Sequence, residues 1–150
     1  YFPKDERIYP IGRLDYDTTG LIILTNDGDF ANLLMHPRNK IVKTYLAKIE
    51  GILDKDAIDK LKKGVMVDNK IVHIEDFKIK KKDFEKNISM VEIKIIEGRN
   101  HIVKNIFKEL GYTVIKLSRI SYGFLSLEGL QSGEYRKLTQ KEVNKFYERN

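Results

Sequence analysis

The chain has 150 residues, no cysteine, 41% hydrophobic residues, a formal net charge of +6 and a pI of about 9.3. That length and apolar content allow one domain with a real core, and the lack of cysteine excludes a disulfide framework, thiolate zinc sites and a cysteine nucleophile. No apolar run approaches the ~20 residues that a membrane span needs, and no signal-like segment opens the chain, so a cytoplasmic protein attracted to polyanions is expected.

The first feature in chain order is Gly12-Arg13-Leu14-Asp15-Tyr16-Asp17-Thr18-Thr19-Gly20-Leu21. It sets the carboxylate of Asp15 in a glycine-bounded turn ahead of an apolar strand expected over residues 21–25. A carboxylate on a loop between rigid elements suits a nucleophile or base, and Arg13 supplies positive charge that favours its ionised form. Asp17 and Thr18 read as scaffolding whose short polar side chains bond neighbouring backbone. Asp and Gly are also common turn formers, and Leu21-Ile22-Ile23-Leu24 alone is simply a buried strand.

Asp29 is expected to cap a short helix with Phe30, Leu33 and Leu34 on one face, stopped by Pro37, with His36 as a cap or turn residue. Residues 44–50 alternate as a strand ending at Gly51. Asp54 caps a helix running to Lys63, with Ala57, Ile58 and Leu61 inward and Gly64 as its stop. Strands are expected over 65–67 and 70–80 around an Asp68-Asn69 turn, the second containing His73 as an ordinary strand residue, and residues 89–96 alternate cleanly. The run Lys78-Ile79-Lys80-Lys81-Lys82 reads as a solvated face near a hairpin turn, with phosphate contact left open.

Asn100 is expected to cap a helix over 101–110 with Ile102, Val103, Ile106, Phe107 and Leu110 inward and His101, Lys104 and Lys108 as the exposed stripe. Strands over 113–122, 124–127 and 135–138 follow. Thr139-Gln140-Lys141-Glu142 is a capping box opening a last helix that buries Val143, Phe146 and Tyr147. Strands punctuated by helices, without βαβ repeats or an internal period, predict an α+β domain with a mixed, mainly antiparallel sheet flanked by helices. Between residues 98 and 127 the basic residues Arg99, Lys104, Lys108, Lys116 and Arg119 stand against only Glu109, a plausible RNA footprint.

Gly12-Arg13-Leu14-Asp15 followed by Thr18-Thr19-Gly20-Leu21 resembles the nucleophile motif of the pseudouridine synthases of the RsuA/RluB type, which isomerise uridine in ribosomal RNA. Four further segments carry the same resemblance. Lys43-Thr44-Tyr45-Leu46 is similar to the family's Lys-x-Tyr motif, and Gly98-Arg99-Asn100-His101-Ile102-Val103-Lys104 is similar to its Gly-Arg-x-His-Gln-Val-Arg/Lys segment, with Ile102 in place of Gln. Leu117-Ser118-Arg119 through Gly123 looks like its Leu-x-Arg-x-x-x-Gly strand. Gly133-Glu134-Tyr135-Arg136-Lys137-Leu138 looks like its closing segment, with Ser132 in place of a proline.

The resemblance implies that Asp15 is the catalytic aspartate, that the Tyr45 ring packs on the target uracil with its phenol near the C5 proton, and that Lys104 is the cation that pairs with the aspartate. It also implies that Leu117 forms an apolar wall against the base. Whether carboxylate attack or assisted elimination comes first is left open. No cofactor and no metal are called for. The expected partner is a structured stem-loop of ribosomal RNA, more of the large-subunit kind, whose uridine is flipped out at a cost of roughly a few kcal/mol. Arg13 is the candidate to fill the vacated space or grip the turned phosphate, its rival role being to neutralise Asp15 or Asp17. Arg99, Asn100 and Arg119 are further RNA-binding candidates, the first two at a helix amino terminus.

The resemblance further implies a catalytic domain over residues 1–150, without the S4-like RNA-binding domain and the first catalytic-domain strand that family members carry; a monomer is expected. Two other classes stand beside the isomerase: a noncatalytic RNA-binding module assisting ribosome assembly, and metal-dependent phosphodiester cleavage by Asp15, Asp17 and Asp27 or Asp29.

Overall fold

A computed structural model describes residues 7–99 and 101–148. The elements in order are β1 Tyr9–Ile11, β2 Thr18–Gly20, β3 Ile23–Thr25, α1 Gly28–Met35, β4 Lys43–Glu50, α2 Lys55–Lys63, β5 Val65–Val67, β6 Lys70–Val72, β7 Asp76–Asp83, β8 Ile88–Ile95, α3 Ile102–Glu109, β9 Thr113–Tyr122, β10 Leu125–Ser126 and α4 Gln140–Glu148. The main sheet runs β10-β9-β4-β8-β7, with the short β2 also pairing β9, in parallel. All its other pairings are antiparallel. The expected α+β domain with a mixed, mainly antiparallel sheet is what forms.

One face of the sheet carries alternate residues of each strand, Ala47 and Ile49 from β4, Val91, Ile93 and Ile95 from β8, and Leu117 from β9, all buried. Against it pack Ala57 and Leu61 of α2, Ile102, Val103, Ile106 and Phe107 of α3, and Val65, Val67 and Val72 of the β5–β6 ribbon. A second core gathers Ile11 and Ile23 of the β1–β3 pair, Phe30, Ala31 and Leu34 of α1, Phe146 of α4, and Tyr122 and Leu125. The two cores meet along β9, which contributes Leu117 to the first and Tyr122 to the second.

Local chemistry explains the element ends. Asp54 Oδ1 accepts the Ala57 N–H at 2.8 Å and Gly64 closes α2 at a φ of 114°, as the spacing predicts. The cap of α1 is Asp27 rather than Asp29: its Oδ1 accepts from the N–H groups of Asp29 and Phe30. His36 follows the helix, and its Nδ1 accepts the Arg38 N–H. The single strand expected over 70–80 is two. Asp68 and Asn69 both take positive φ and fold β5 and β6 into a separate ribbon, after which the chain restarts as β7 on the outer edge of the main sheet. Lys78, Lys80, Lys81 and Lys82 sit there on an exposed edge, where charge discourages further strand pairing. Residues 135–138 form no strand, and Tyr147 is largely exposed rather than buried. The expected cap residue Asn100 lies outside the described residues.

The capping box of α4 is fully formed. Thr139 Oγ1 accepts the Glu142 N–H at 3.1 Å and Glu142 Oε1 accepts the Thr139 N–H at 2.9 Å, while both Glu142 oxygens take a guanidinium nitrogen of Arg136 at 2.8 Å. Arg136 first, then the Thr139 N–H, bring the Glu142 carboxyl from 4.5 down to about 2. Because the folded value lies below the unfolded one, this contribution is complete above the ordinary carboxylate range and is lost as the pH falls toward 2. Glu142→Gln is expected to lower stability at neutral pH by ~1 kcal/mol, with a difference from wild type that shrinks in thermal melts as the pH is taken from 7 to 3.

Candidate active site

The loop bearing Asp15 is pinned at its far root to β9. Thr18 N–H donates to the Asp15 carbonyl at 2.9 Å, closing a turn, and β2 then pairs Thr18 with Leu117, Thr19 with Ser118 and Gly20 with Arg119. Leu21 N–H donates to the Arg119 carbonyl at 2.8 Å, and Arg119 Nε donates back to the Leu21 carbonyl at 2.9 Å. A Cβ on Gly20 would stand 2.2 Å from the Arg119 carbonyl oxygen, and the backbone there has a φ of 115°. Only glycine lets the two backbones close to this distance. The turn is therefore held by backbone bonds and by Arg119. Asp17 bonds backbone at its own position as well as pairing with Lys104, whereas the buried Thr18 Oγ1 has no partner among the described residues.

Facing the loop is the start of α3. His101, in the left-handed region at a φ of 55°, places Nδ1 3.0 Å from Asp15 Oδ2, and Lys104 Nζ pairs with Asp17 Oδ1. The Asp15 side chain keeps 19% of its surface exposed. The hydrogen bond from Lys104 is the largest influence holding the Asp17 carboxyl below its ordinary value. This corrects the expected pairing of Lys104 with Asp15. His101 stands immediately ahead of α3 and Lys104 lies in its first turn, and of the two loop carboxylates, two residues apart, His101 meets Asp15 and Lys104 meets Asp17. The sequence sets His101 on an exposed stripe and inside the Gly-Arg-x-His segment without a role; its place three residues ahead of Lys104 is the available signal. Among the described residues no three acidic or histidine side chains converge into a metal-holding group, and Asp27 is occupied as the α1 cap.

The floor beside the loop comes from the sheet. Tyr45 on β4 is half-buried and stands opposite Ile93 on one side and Arg119 on the other. Leu117, opposite both Ala47 and Thr18, is 3% exposed and packs into the main core, so little of it is offered to a base. Arg119 is also 3% exposed. That overturns its reading as an RNA contact: on β9 it alternates inward with Leu117, and its guanidinium anchors the Asp15 loop and lies 5.1 Å from the Tyr122 ring centroid. Arg99 is similarly engaged within the protein, pairing with Glu97 and donating from Nη1 to the Val67 carbonyl at 3.1 Å, which ties the segment before α3 to β5. Arg13 is exposed and forms no ion pair with Asp15 or Asp17. Lys43, the first residue of the Lys-x-Tyr motif and given no role there, donates to the Ile96 carbonyl at 2.8 Å, at the root of the segment leading to His101.

A partly exposed carboxylate, held by an imidazole and set beside a strand tyrosine, can attack an electrophilic carbon or stabilise positive charge on it. The family of RNA pseudouridylate synthases has a model that matches residues 2–109. The ribosomal large subunit pseudouridine synthase B of Bacillus subtilis is 48% identical over 141 residues, covering 94% of this chain and 58% of that protein. An uncharacterized RNA pseudouridine synthase of Aquifex aeolicus is 39% identical, covering 95% of this chain and 56% of its own length. Among solved structures, the crystal structure of a pseudouridylate synthase aligns with a TM-score of 0.79 at 32% identity, over 93% of this chain and 59% of that one. The archaeal box H/ACA sRNP Nop10-Cbf5 complex shares the fold alone, at a TM-score of 0.55 and 17% identity over 79% of this chain and 39% of that one. The chain thus spans under two thirds of the length of these relatives.

The contact between β2 and β9 sets the site's stability. Gly20→Ala forces a methyl group onto backbone atoms that cannot rotate away, and is expected to cost ~3 kcal/mol, measured as a lowered urea midpoint with an unchanged slope.

Proposed function

Because the chain belongs to the RNA pseudouridylate synthase family, we propose that it isomerises a uridine of large-subunit ribosomal RNA to pseudouridine, without a cofactor and as a cytoplasmic monomer. The observation that carries this reading is the Asp15 carboxylate, partly exposed in a turn fastened to β9 and met by His101 at the start of α3. The similarity to the Bacillus subtilis protein supports the choice of subunit.

The reaction needs no net change in composition. The N1–C1′ bond breaks, the base turns, C5 joins C1′, C5 gives up its proton and N1 gains one. Asp15 attacks C1′, or else stabilises the positive charge that develops there while the base departs. His101 fixes the orientation of the carboxylate, and Lys104, matched to Asp17, keeps the second carboxylate of the loop from repelling the first. Tyr45 stacks on the uracil and places its phenol near the C5 proton. A uridine in a stem-loop has to leave its stack to enter. Arg13, exposed next to Asp15, is placed to occupy the gap or hold the turned phosphate, and Lys108 on the exposed side of α3 adds attraction for the backbone.

Tritium release from ribosomal RNA labelled at uridine C5 tests the reading, with chelator present. Wild-type protein is expected to release label without strand scission, and Asp15→Asn to lose at least ~1,000-fold in rate while RNA affinity stays nearly the same. RNA binding without release by wild type would replace the isomerase by the noncatalytic RNA-binding module. Arg13→Ala is expected to weaken RNA engagement several-fold with no change in the melting temperature, and an unchanged turnover of RNA would remove Arg13 from the site.

A further inference from the structure

Two cations lie side by side on the sheet without an opposing carboxylate. Lys43 and Tyr45 are alternate residues of β4 and share a face; on β9, Tyr122 stands opposite Lys43 and Arg119 stands opposite Tyr45. Lys43 Nζ and the Arg119 guanidinium both approach the Tyr122 ring, at 5.6 and 5.1 Å from its centroid. Among the described residues neither enters an ion pair. Lys43 donates to the Ile96 carbonyl, and Arg119 to the Leu21 carbonyl, with its Nη2 buried and unpartnered. The nearest acidic residue along the chain from Ile96, Glu97, is taken by Arg99. Burial first, and then Arg119, hold the Lys43 ammonium below its ordinary value, and burial pushes the Tyr122 phenol up.

Placing two like charges together away from water is unfavourable unless opposite charge is supplied. Carbonyl dipoles and a ring face supply only part of it. The carboxylates of the site are already partnered, Asp15 by His101 and Asp17 by Lys104, which leaves the Lys43–Arg119 pair with positive potential next to Tyr45. We propose that Lys43 and Arg119 stabilise the negative charge that forms on the uracil when it leaves C1′.

This rests on the isomerase reading above, with the base stacked on Tyr45. The flipped uridine arrives neutral. When the N1–C1′ bond breaks, its electron pair goes to the base, which becomes a uracil monoanion with charge spread over N1 and the two carbonyl oxygens. The anion turns, C5 uses its electrons to form the bond to C1′, the C5 proton passes to a base, and N1 is protonated. Charge on the ring exists only between the first and last of these steps. A fixed positive potential there favours the transition state over the bound substrate, so it raises the rate and leaves affinity nearly untouched. Arg119 acts through space, because its buried guanidinium also holds the Asp15 loop; Lys43, half-buried, is the nearer candidate for contact.

The test replaces Lys43 with Gln, which keeps a donor for the Ile96 carbonyl and removes the charge, and with Arg, which keeps the charge. Lys43→Met is a second neutral variant should the first fail to fold. Each is given stem-loop RNA with uridine or 5-fluorouridine at the target position, and loss of the N1-linked nucleoside is followed in single turnover beside RNA affinity and melting temperature. Fluorine withdraws electrons and makes the departing base a more stable anion, so it needs less help. Lys43→Gln is expected to slow the uridine reaction by about 100-fold, to change affinity by less than about twofold, and to slow the 5-fluorouridine reaction several-fold less. Lys43→Arg is expected to recover most of the rate. An equal loss with both bases, a loss carried by affinity, or an unchanged rate in an active protein overturns this inference alone. Wild-type protein that leaves both nucleosides intact overturns the isomerase reading with it.

Discussion

The approach of Gly20 to the backbone of Arg119 is the constraint on which the site depends. A parallel pairing of three residues is too short to hold a loop by itself. Here it is reinforced by the reciprocal bonds between Leu21 and Arg119, one through the main chain and one through the guanidinium. β9 then carries the Asp15 loop on one edge and β4, with Tyr45, on the other, while α3 packs on the face between them and brings His101 and Lys104 to the loop. Segments separated by most of the chain thus meet on one strand. A side chain at position 20 would move the carboxylate relative to everything else.

The elements legible in the sequence are those whose signals are local. Asp54 with Gly64 marks both ends of α2, and Thr139 with Glu142 marks the start of α4, because each cap bonds within its own first turn. Alternation finds β4, β8 and β9 for the same reason. The failures are of another kind. Nothing local distinguishes one strand over 70–80 from a ribbon strand and an edge strand, since the break depends on α3 covering β5. Residues 135–138 join no strand among the described residues, and Arg136 is drawn to Glu142 instead.

The site shows the same division. Motif spacing identifies Asp15, Tyr45 and Lys104 as residues to place and sets His101 three residues ahead of Lys104. It does not say which loop residue comes down on each. Counting basic residues between 98 and 127 makes Arg99 and Arg119 look like a surface footprint, although Arg119 shares its inward parity with Leu117, and that alternation was readable. Net charge describes attraction to a polyanion at long range; it does not separate cations that face solvent, as Arg13 and Lys108 do, from cations consumed in holding loops.

The place of Tyr122 beside Arg119 depends on a single extra residue. Lys43 pairs with Tyr122 and Thr44 with Ser121, a register that, continued, would set Tyr45 against Ile120 and Leu46 against Arg119. The ladder instead shifts between Thr44 and Tyr45, so that Ile120 is skipped and Arg119 comes opposite Tyr45. A one-residue slip moves every following side chain to the other face. Arg119 keeps the inward parity of Leu117, so without the bulge it is Tyr122 that would change faces, leaving the side of the sheet that carries Lys43, Tyr45 and Arg119. Bulges re-aim side chains at functional positions. This one lets the strand that fastens the Asp15 loop through Arg119 also bring the Tyr122 ring to the face that carries Lys43 and Tyr45.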